Sequence, residues 1–113
     1  MKDLKWLVRF LEEHKMKNIS VYDLTEDKPH FVVVASAMSI QTNKQVCDLL
    51  LDEYGALKID GYSKGEWIVA DAENVTIHLF LSKIREKYNL DKLYKPKKII
   101  VKVDKSKKSG EDA

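Results

Sequence analysis

The run Phe31-Val-Val-Val-Ala35 constrains the fold of this chain more than any other feature of its sequence. It is short, apolar throughout and rich in β-branched valine, which favours a strand buried on both faces. Such a strand lies in the middle of a sheet, and other parts of the chain pack against both of its faces. This is also the longest apolar run in the chain, and at five residues it is far too short to span a membrane.

Helical periodicity appears on either side of this strand. Apolar residues at helical spacing predict one helix over residues 2–16 and another that opens at Ser39 or Thr42. Thr42 and Gln45 have the spacing of a capping box, and Gly55 is a suitable C-terminal cap. A third, short helix is predicted over residues 83–89, with Ser82 as its N-cap.

Further extended segments complete the predicted order of elements. Strands are predicted over residues 19–24, 31–35, 57–61, 67–71, 75–81 and 98–103. The order predicts a single two-layer α/β domain over residues 1–103, with a mixed β-sheet packed with helices and a βαβ-like crossover in the middle. Residues 104–113 are rich in lysine and serine and are predicted to form a disordered tail.

Charge is unevenly distributed along the chain. The net charge is +2, yet residues 95–108 hold seven lysines and one aspartate, so the basic character belongs to the C-terminal segment. The body before it is mildly acidic and lacks the large basic face that grips nucleic acid. The lysines leave two interpretations open, namely contact with RNA phosphates or a solvated tail that aids solubility.

Cys47 is the one cysteine of the chain, which excludes an internal disulfide and a cysteine-based zinc site. It falls on the apolar stripe of the second predicted helix, the usual place of an inert, buried thiol. The N-terminal residues are charged and no apolar stretch follows them, so we expect no signal peptide. A reducing cytoplasm is the expected compartment.

Two carboxylates suggest an enzyme as one alternative. Asp71 and Glu73 are two residues apart, so in a strand they share a face and can hold Mg²⁺, as nucleotide-transferring enzymes require. The chain lacks a P-loop and a Gly-x-Gly-x-x-Gly motif that could hold the phosphates. His78 and Asp71 lie on neighbouring strands and can form an acid–base pair, but no evident nucleophile accompanies them.

Aromatic residues near the ends of the same two strands have two interpretations. Trp67 and Phe80 can pack across the strands, or they can serve an interface, where Trp, Tyr and Arg are enriched. Arg85 and Tyr88 are three residues apart on the last helix and therefore share a face.

Between Trp67 and Leu93 the sequence resembles the ribosomal silencing factor family, also called the RsfS or Iojap family. The family pattern is a Trp–Asp strand, a turn, a strand containing Val, His and Phe, and then a segment of the form Arg-x-x-Tyr-x-Leu-Asp-x-Leu. The matching residues here are Trp67, Asp71, Val75, His78, Phe80, Arg85, Tyr88, Leu90, Asp91 and Leu93. The chain departs from the pattern at the turn, Glu73-Asn74, and at Tyr94, where the family has Trp.

The resemblance implies a function that the residues alone do not show. Members of the family are not known as enzymes, although their fold is like that of nucleotidyltransferases. They bind the large ribosomal subunit through its fourteenth large-subunit protein and sterically block joining with the small subunit, which represses translation. A homodimer is compatible with the likeness, and no cofactor or metal is implied.

The matched segment supplies the predicted partner-binding residues. They are Trp67, Asp71, His78, Arg85, Tyr88 and Tyr94. The alternatives are a nucleotidyltransferase-like enzyme that processes nucleotides or RNA, and a small RNA-binding protein that uses the basic tail.

Overall fold

A computed structural model describes residues 3–55 and 57–103 of the chain. The helices are α1 (Leu4–Glu13), α2 (Ile40–Tyr54), α3 (Ser82–Tyr88) and α4 (Leu90–Tyr94), and a 3₁₀ turn spans Lys95–Lys97. The strands are β1 (Lys17–Asp23), β2 (Phe31–Ala37), β3 (Lys58–Asp60), β4 (Trp67–Asp71), β5 (Val75–Leu81) and β6 (Lys98–Ile99). The predicted tail, residues 104–113, lies outside the described residues.

The strands form one mixed sheet in the order β3-β4-β5-β2-β1-β6. The strand β2 is parallel to β5 and antiparallel to β1, and Val33, Val34 and Ala35 have no exposed surface. The predicted central strand is therefore confirmed, as is the α/β class with a mixed sheet packed with helices. The connection from β2 to its parallel neighbour β5 contains α2 and also the β3–β4 pair, so it is longer than a simple βαβ unit.

Helices lie on both faces of the sheet, to different extents. On one face, α1 and α2 bury the main core, in which Leu7, Leu11, Val46 and Leu50 pack with the sheet. On the other face, α3 and α4 cover a smaller cluster that includes Tyr22, Val32, Val34 and Phe80. Because α3 and α4 are short, this second face is the less completely covered one.

The hairpin predicted around residues 72–74 is observed with the predicted strand limits. The strands β4 and β5 pair antiparallel, with Trp67 opposite Phe80 and Asp71 opposite Thr76. The turn is closed by a hydrogen bond from the Ala72 N–H to the Val75 carbonyl, at 2.9 Å.

The structure confirms Ser39, one of the two predicted starts of α2, and differs from the predicted cap of α3. Ser39 caps α2, since its hydroxyl oxygen accepts from the Thr42 N–H at 3.1 Å, so the Thr42–Gln45 capping box is not the start of the helix. Ser82 is already the first residue of α3, and Leu81 occupies the cap position without a side-chain hydrogen bond. The Ser82 hydroxyl instead donates to the Ala37 carbonyl at 3.2 Å, because β5 runs directly into the helix beside the end of β2.

The last predicted strand, residues 98–103, is shorter than expected. Only Lys98 and Ile99 pair with β1, opposite Tyr22 and Val21. Ile99 and the following valines at 101 and 103 still pack against the main core. The alternation of apolar residues therefore reflects burial of one side of the segment, without continued pairing.

Candidate functional site

The register of the β4–β5 hairpin places several of the predicted site residues on one face of the sheet. Trp67 and Asp71 lie at the two ends of β4, and His78 lies on β5 opposite Val69. Because side chains two residues apart in a strand share a face, these three side chains point to the same side. This is the side on which α3 lies.

Four aromatic rings meet there, and we refer to Trp67, His78, Phe80 and Tyr88 as the aromatic cluster. The Trp67 ring stacks on Phe80, with 4.9 Å between centroids, and lies 4.8 Å from the Tyr88 ring. The His78 ring lies 6.0 Å from Trp67 and 6.1 Å from Phe80. Phe80 has no exposed surface, whereas Tyr88 is 51% exposed, so the cluster runs from the core to the surface.

A hydrogen bond links two members of the aromatic cluster. The Trp67 Nε1–H donates to Nδ1 of His78 at 3.0 Å, which requires that this nitrogen carry no proton. Burial lowers the pKa of His78, and the carboxylate of Asp71 partly opposes that shift. The imidazole ring is therefore held neutral, and it orients the indole ring.

Asp71 lies on the same face but at the other end of β4. Its carboxylate is exposed and accepts a hydrogen bond from the Thr76 hydroxyl at 3.0 Å. Glu73 is exposed in the turn that follows. Within residues 3–55 and 57–103, no cluster of three or more His, Cys, Asp or Glu side chains is arranged to hold a metal ion.

Arg85 is engaged within the chain through all of its donors. Its Nε and Nη2 donate to the two carboxylate oxygens of Asp91, each at 2.9 Å. Its Nη1 donates to the Asn18 carbonyl and, at 2.9 Å, to the Ser36 hydroxyl. A further bond runs from Nη2 to the Ser20 hydroxyl at 3.3 Å. A guanidinium group has five N–H donors, so all five are satisfied within the chain.

Tyr22 completes this arrangement, and we refer to Arg85, Asp91, Tyr22, Ser20 and Ser36 as the polar network. The Tyr22 hydroxyl donates to the Asp91 carboxylate. The hydrogen bonds from Arg85 hold the pKa of Asp91 below its usual range. Burial, assisted by the bond to Asp91, raises the pKa of Tyr22 to about 12. Asp91 therefore stays ionised and Tyr22 protonated over the neutral pH range.

The polar network was not anticipated from the sequence as a unit. Asp91 belongs to the motif that carries the family resemblance, but nothing local shows that it faces Arg85 and Tyr22. The Tyr22–Asp91 bond joins residues 69 positions apart. Only the composition of the motif, a basic residue followed six positions later by an acidic one, could have suggested the ion pair.

The six predicted residues therefore separate into two groups. Trp67 contacts both His78 and Tyr88, and Asp71 lies farther along the same sheet face. Arg85 and Tyr94 lie on the side of β1, where the Tyr94 ring packs 5.6 Å from that of Tyr22. Tyr94 is half-buried, so it supports α4 as well as presenting an edge to solvent.

Other features of the structure lie away from this face. Cys47 is fully buried, and burial raises the pKa of its thiol to about 11, so it is a poor nucleophile. A cavity of about 530 Å³ lies between the start of α1 and the C-terminal segment, lined by Leu4, Phe31, Tyr54 and Val101 among others. None of the six predicted residues lines it.

Among the described residues, no helix is both long enough and apolar enough to cross a membrane.

Comparison with known proteins gives a family match and structural relatives. A family model described as ribosomal silencing factor during starvation (RsfS) matches residues 1–113. The ribosomal silencing factor RsfS of Zymomonas mobilis is 30% identical over 69 residues, which cover 57% of this chain and 52% of that protein. The chain thus matches about half the length of this curated relative.

Two crystal structures are similar in fold. A protein of Chromobacterium violaceum is 28% identical, with a TM-score of 0.68 over 87% of this chain and 89% of that one. A protein of Bacillus halodurans has a TM-score of 0.67 over 83% of this chain and 92% of that one. The second protein is 20% identical, and this comparison therefore supports the fold alone. Since the family model spans residues 1–113, the chain belongs to the ribosomal silencing factor (RsfS) family.

Proposed function

We propose that the protein binds the large ribosomal subunit in the cytoplasm, through the fourteenth large-subunit protein, and sterically prevents the small subunit from joining. Translation is repressed as a result. Membership of the ribosomal silencing factor family supports this proposal. The structural observation that carries it is the aromatic cluster, which opens to solvent at Tyr88.

The chemistry of this face suits a protein partner. Tyr88 is 51% exposed and lies against the half-buried Trp67, and aromatic anchors of this kind dominate the binding energy of many interfaces. The exposed carboxylate of Asp71 offers a negative charge on the same face. A partner surface that combines an apolar recess with a cationic side chain fits both features, and the charge pair mainly sets specificity and encounter rate.

The experiment measures binding to isolated large subunits by co-sedimentation, followed by a subunit reassociation assay. The Tyr88→Ala variant removes the exposed ring. We expect it to weaken binding by about thirtyfold, the effect of losing about 2 kcal/mol at an interface anchor. Its inhibition of subunit joining should weaken in parallel.

Tyr62→Ala is the matched control. Tyr62 is 36% exposed, and its hydroxyl donates to Asp48 on α2, away from the aromatic cluster. This variant should bind and inhibit as the unmodified protein does. The proposal fails if the protein neither sediments with large subunits nor reduces joining at micromolar excess, or if both tyrosine variants behave alike.

The proposal assigns no catalytic step to the chain. The groups that could perform chemistry are engaged otherwise: His78 accepts from Trp67, Asp71 accepts from Thr76, and Cys47 is buried.

Two finer contacts belong to the same proposal. The exposed lysines at positions 95, 97 and 98 follow directly after α4, and we assign them to contact with ribosomal RNA phosphates.

In the absence of ribosomes, the aromatic cluster of one chain is available to that of another, so a homodimer uses the same surface. Sedimentation velocity of the free protein tests this, since Tyr88→Ala should shift a dimer towards monomer.

A further inference from the structure

The polar network lies directly beside the proposed docking surface. Arg85 belongs to α3, three residues before Tyr88, so the two side chains lie on neighbouring positions of one helix face. Asp91 belongs to α4, and the remaining partners of Arg85 belong to β1 and β2. The network therefore joins both short helices to the sheet at a single point.

These helices need such an attachment. The helices α3 and α4 have seven and five residues, neither has a side-chain N-cap, and neither contains a fully buried residue. Helices of this length are not stable on their own, because few hydrogen bonds offset the cost of nucleation. The residue between them, Asn89, has a φ of 49°, so the chain turns sharply there. Their position is decided by tertiary contacts.

We propose that Arg85, Asp91 and Tyr22 are positioning residues, which hold α3 so that the Tyr88 ring stays against Trp67 in the conformation that docks. Arg85 then acts from beneath the surface, and it makes no direct contact with the partner. Two observations carry this inference: all five donors of Arg85 are used within the chain, and its side chain is only 12% exposed. The inference rests on the proposed function for its binding readout.

Substituting Asp91 separates positioning from direct contact. If Arg85 bound the partner directly, Asp91→Asn would release at least one of the two N–H groups that donate to Asp91, and it would leave binding unchanged or stronger. If the network positions Tyr88, Asp91→Asn weakens binding even though Asp91 itself does not touch the partner. We expect the dissociation constant for large subunits to rise about tenfold, within the range for coupled residues of one network.

A second readout uses the free protein and needs no ribosome. Nuclear Overhauser contacts between the Tyr88 and Trp67 rings report whether α3 is in place. These contacts should weaken in Asp91→Asn, while those between Trp67 and Phe80, which are both on the sheet, should persist. If unmodified protein does not bind subunits, the proposed function fails, yet this measurement still decides the positioning role.

Matched variants control for general effects. Tyr22→Phe removes only the hydroxyl that donates to Asp91, and it keeps the inference testable if Asp91→Asn does not fold. Tyr62→Phe removes the hydroxyl from a similar tyrosine–carboxylate bond on α2, and Asp48→Asn removes the charge of its acceptor. Neither variant should change either readout. The inference is overturned if the Tyr88–Trp67 contacts survive in both network variants, or if they are lost while binding is unchanged.

Discussion

His78 accepts a hydrogen bond from the Trp67 indole, and this contact depends on a neutral imidazole ring. Protonation of Nδ1 would replace an acceptor with a donor that faces another donor. The ring is also buried, with 9% of its surface exposed. At the residue scale, the orientation of the Trp67 ring therefore depends on the protonation state of His78.

This predicts a dependence of stability on pH. Because the native state resists protonation of His78, its native pKa lies below the ordinary value of 6.5, and the unfolded chain binds the proton first as the pH falls. The stability that this residue contributes is complete above pH 6.5 and is lost as the pH falls from there through the lowered native pKa.

The matched variant is His78→Gln, which keeps an acceptor for the indole and cannot be protonated. Urea denaturation at a series of pH values measures the free energy of unfolding of both proteins. The unmodified protein should lose more stability than the variant as the pH falls below 6.5. Parallel curves for the two proteins would show that His78 carries no such linkage.

At the scale of elements, Gly61 in the loop between β3 and β4 lies close against the backbone of Trp67, the first residue of β4. Gly55, which follows α2, provides a comparison. Gly61 and Gly55 both have a φ of 78°, which favours glycine. A Cβ atom at Gly61 would lie 2.2 Å from the Trp67 carbonyl oxygen, whereas one at Gly55 would have no atom within 4 Å. Alanine at either position would strain the backbone, because φ is positive at both. Of the two, only Gly61 would also bring the new methyl group into a clash with neighbouring backbone.

Alanine substitutions at these two glycines should therefore differ. Gly55→Ala should lower the free energy of unfolding by about 1 kcal/mol, the cost of a left-handed conformation. Gly61→Ala should cost about 2 kcal/mol more, because backbone must move to relieve the clash. Thermal or urea unfolding gives both values. Equal losses would mean that the loop relaxes freely around the new methyl group.

At the scale of the whole molecule, the proposed docking surface and the lysine-rich segment at residues 95–108 lie next to each other in the chain. The body is mildly acidic, and seven lysines fall within residues 95–108. Lys95, Lys97 and Lys98 are exposed. This arrangement fits the partner proposed above, which is made of protein and RNA together. In that proposal the protein contact selects the site, and the lysines add affinity that depends on salt.

Replacing Lys95, Lys97 and Lys98 with glutamine tests the RNA contact. If each lysine neutralises one phosphate, the slope of log affinity against log salt should become shallower by about 2. Binding to large subunits is measured by co-sedimentation over a series of salt concentrations. A control with glutamine at Lys5, Lys28 and Lys64, which are exposed elsewhere, should keep the original slope. Identical slopes for both triple variants would remove the RNA contact from the proposal.

The elements with local signals could be predicted from the order of amino acids alone. The β-branched run at residues 31–35 specified a buried central strand, and period-two alternation with a three-residue turn specified the hairpin at residues 67–81. These predictions were confirmed because side-chain alternation and turn chemistry act over a few residues. The resemblance to the family was also recognised from a contiguous segment of residues. The match of the family model over residues 1–113 confirms that family.

How these elements meet depends on long-range packing, which appears only in the folded molecule. The parallel pairing of β2 with β5, the start of α3 without the predicted Ser82 cap, and the engagement of Arg85 by Asp91, Ser20 and Ser36 all depend on packing. Apart from Arg85 and Asp91, which are six residues apart, the partners in these contacts are far apart in sequence, by 69 residues for Tyr22 and Asp91. Such contacts depend on which faces the folded sheet brings together, and no local preference encodes that. The hydrogen bonds of Arg85, a residue predicted to bind a partner, therefore appear only in the folded structure.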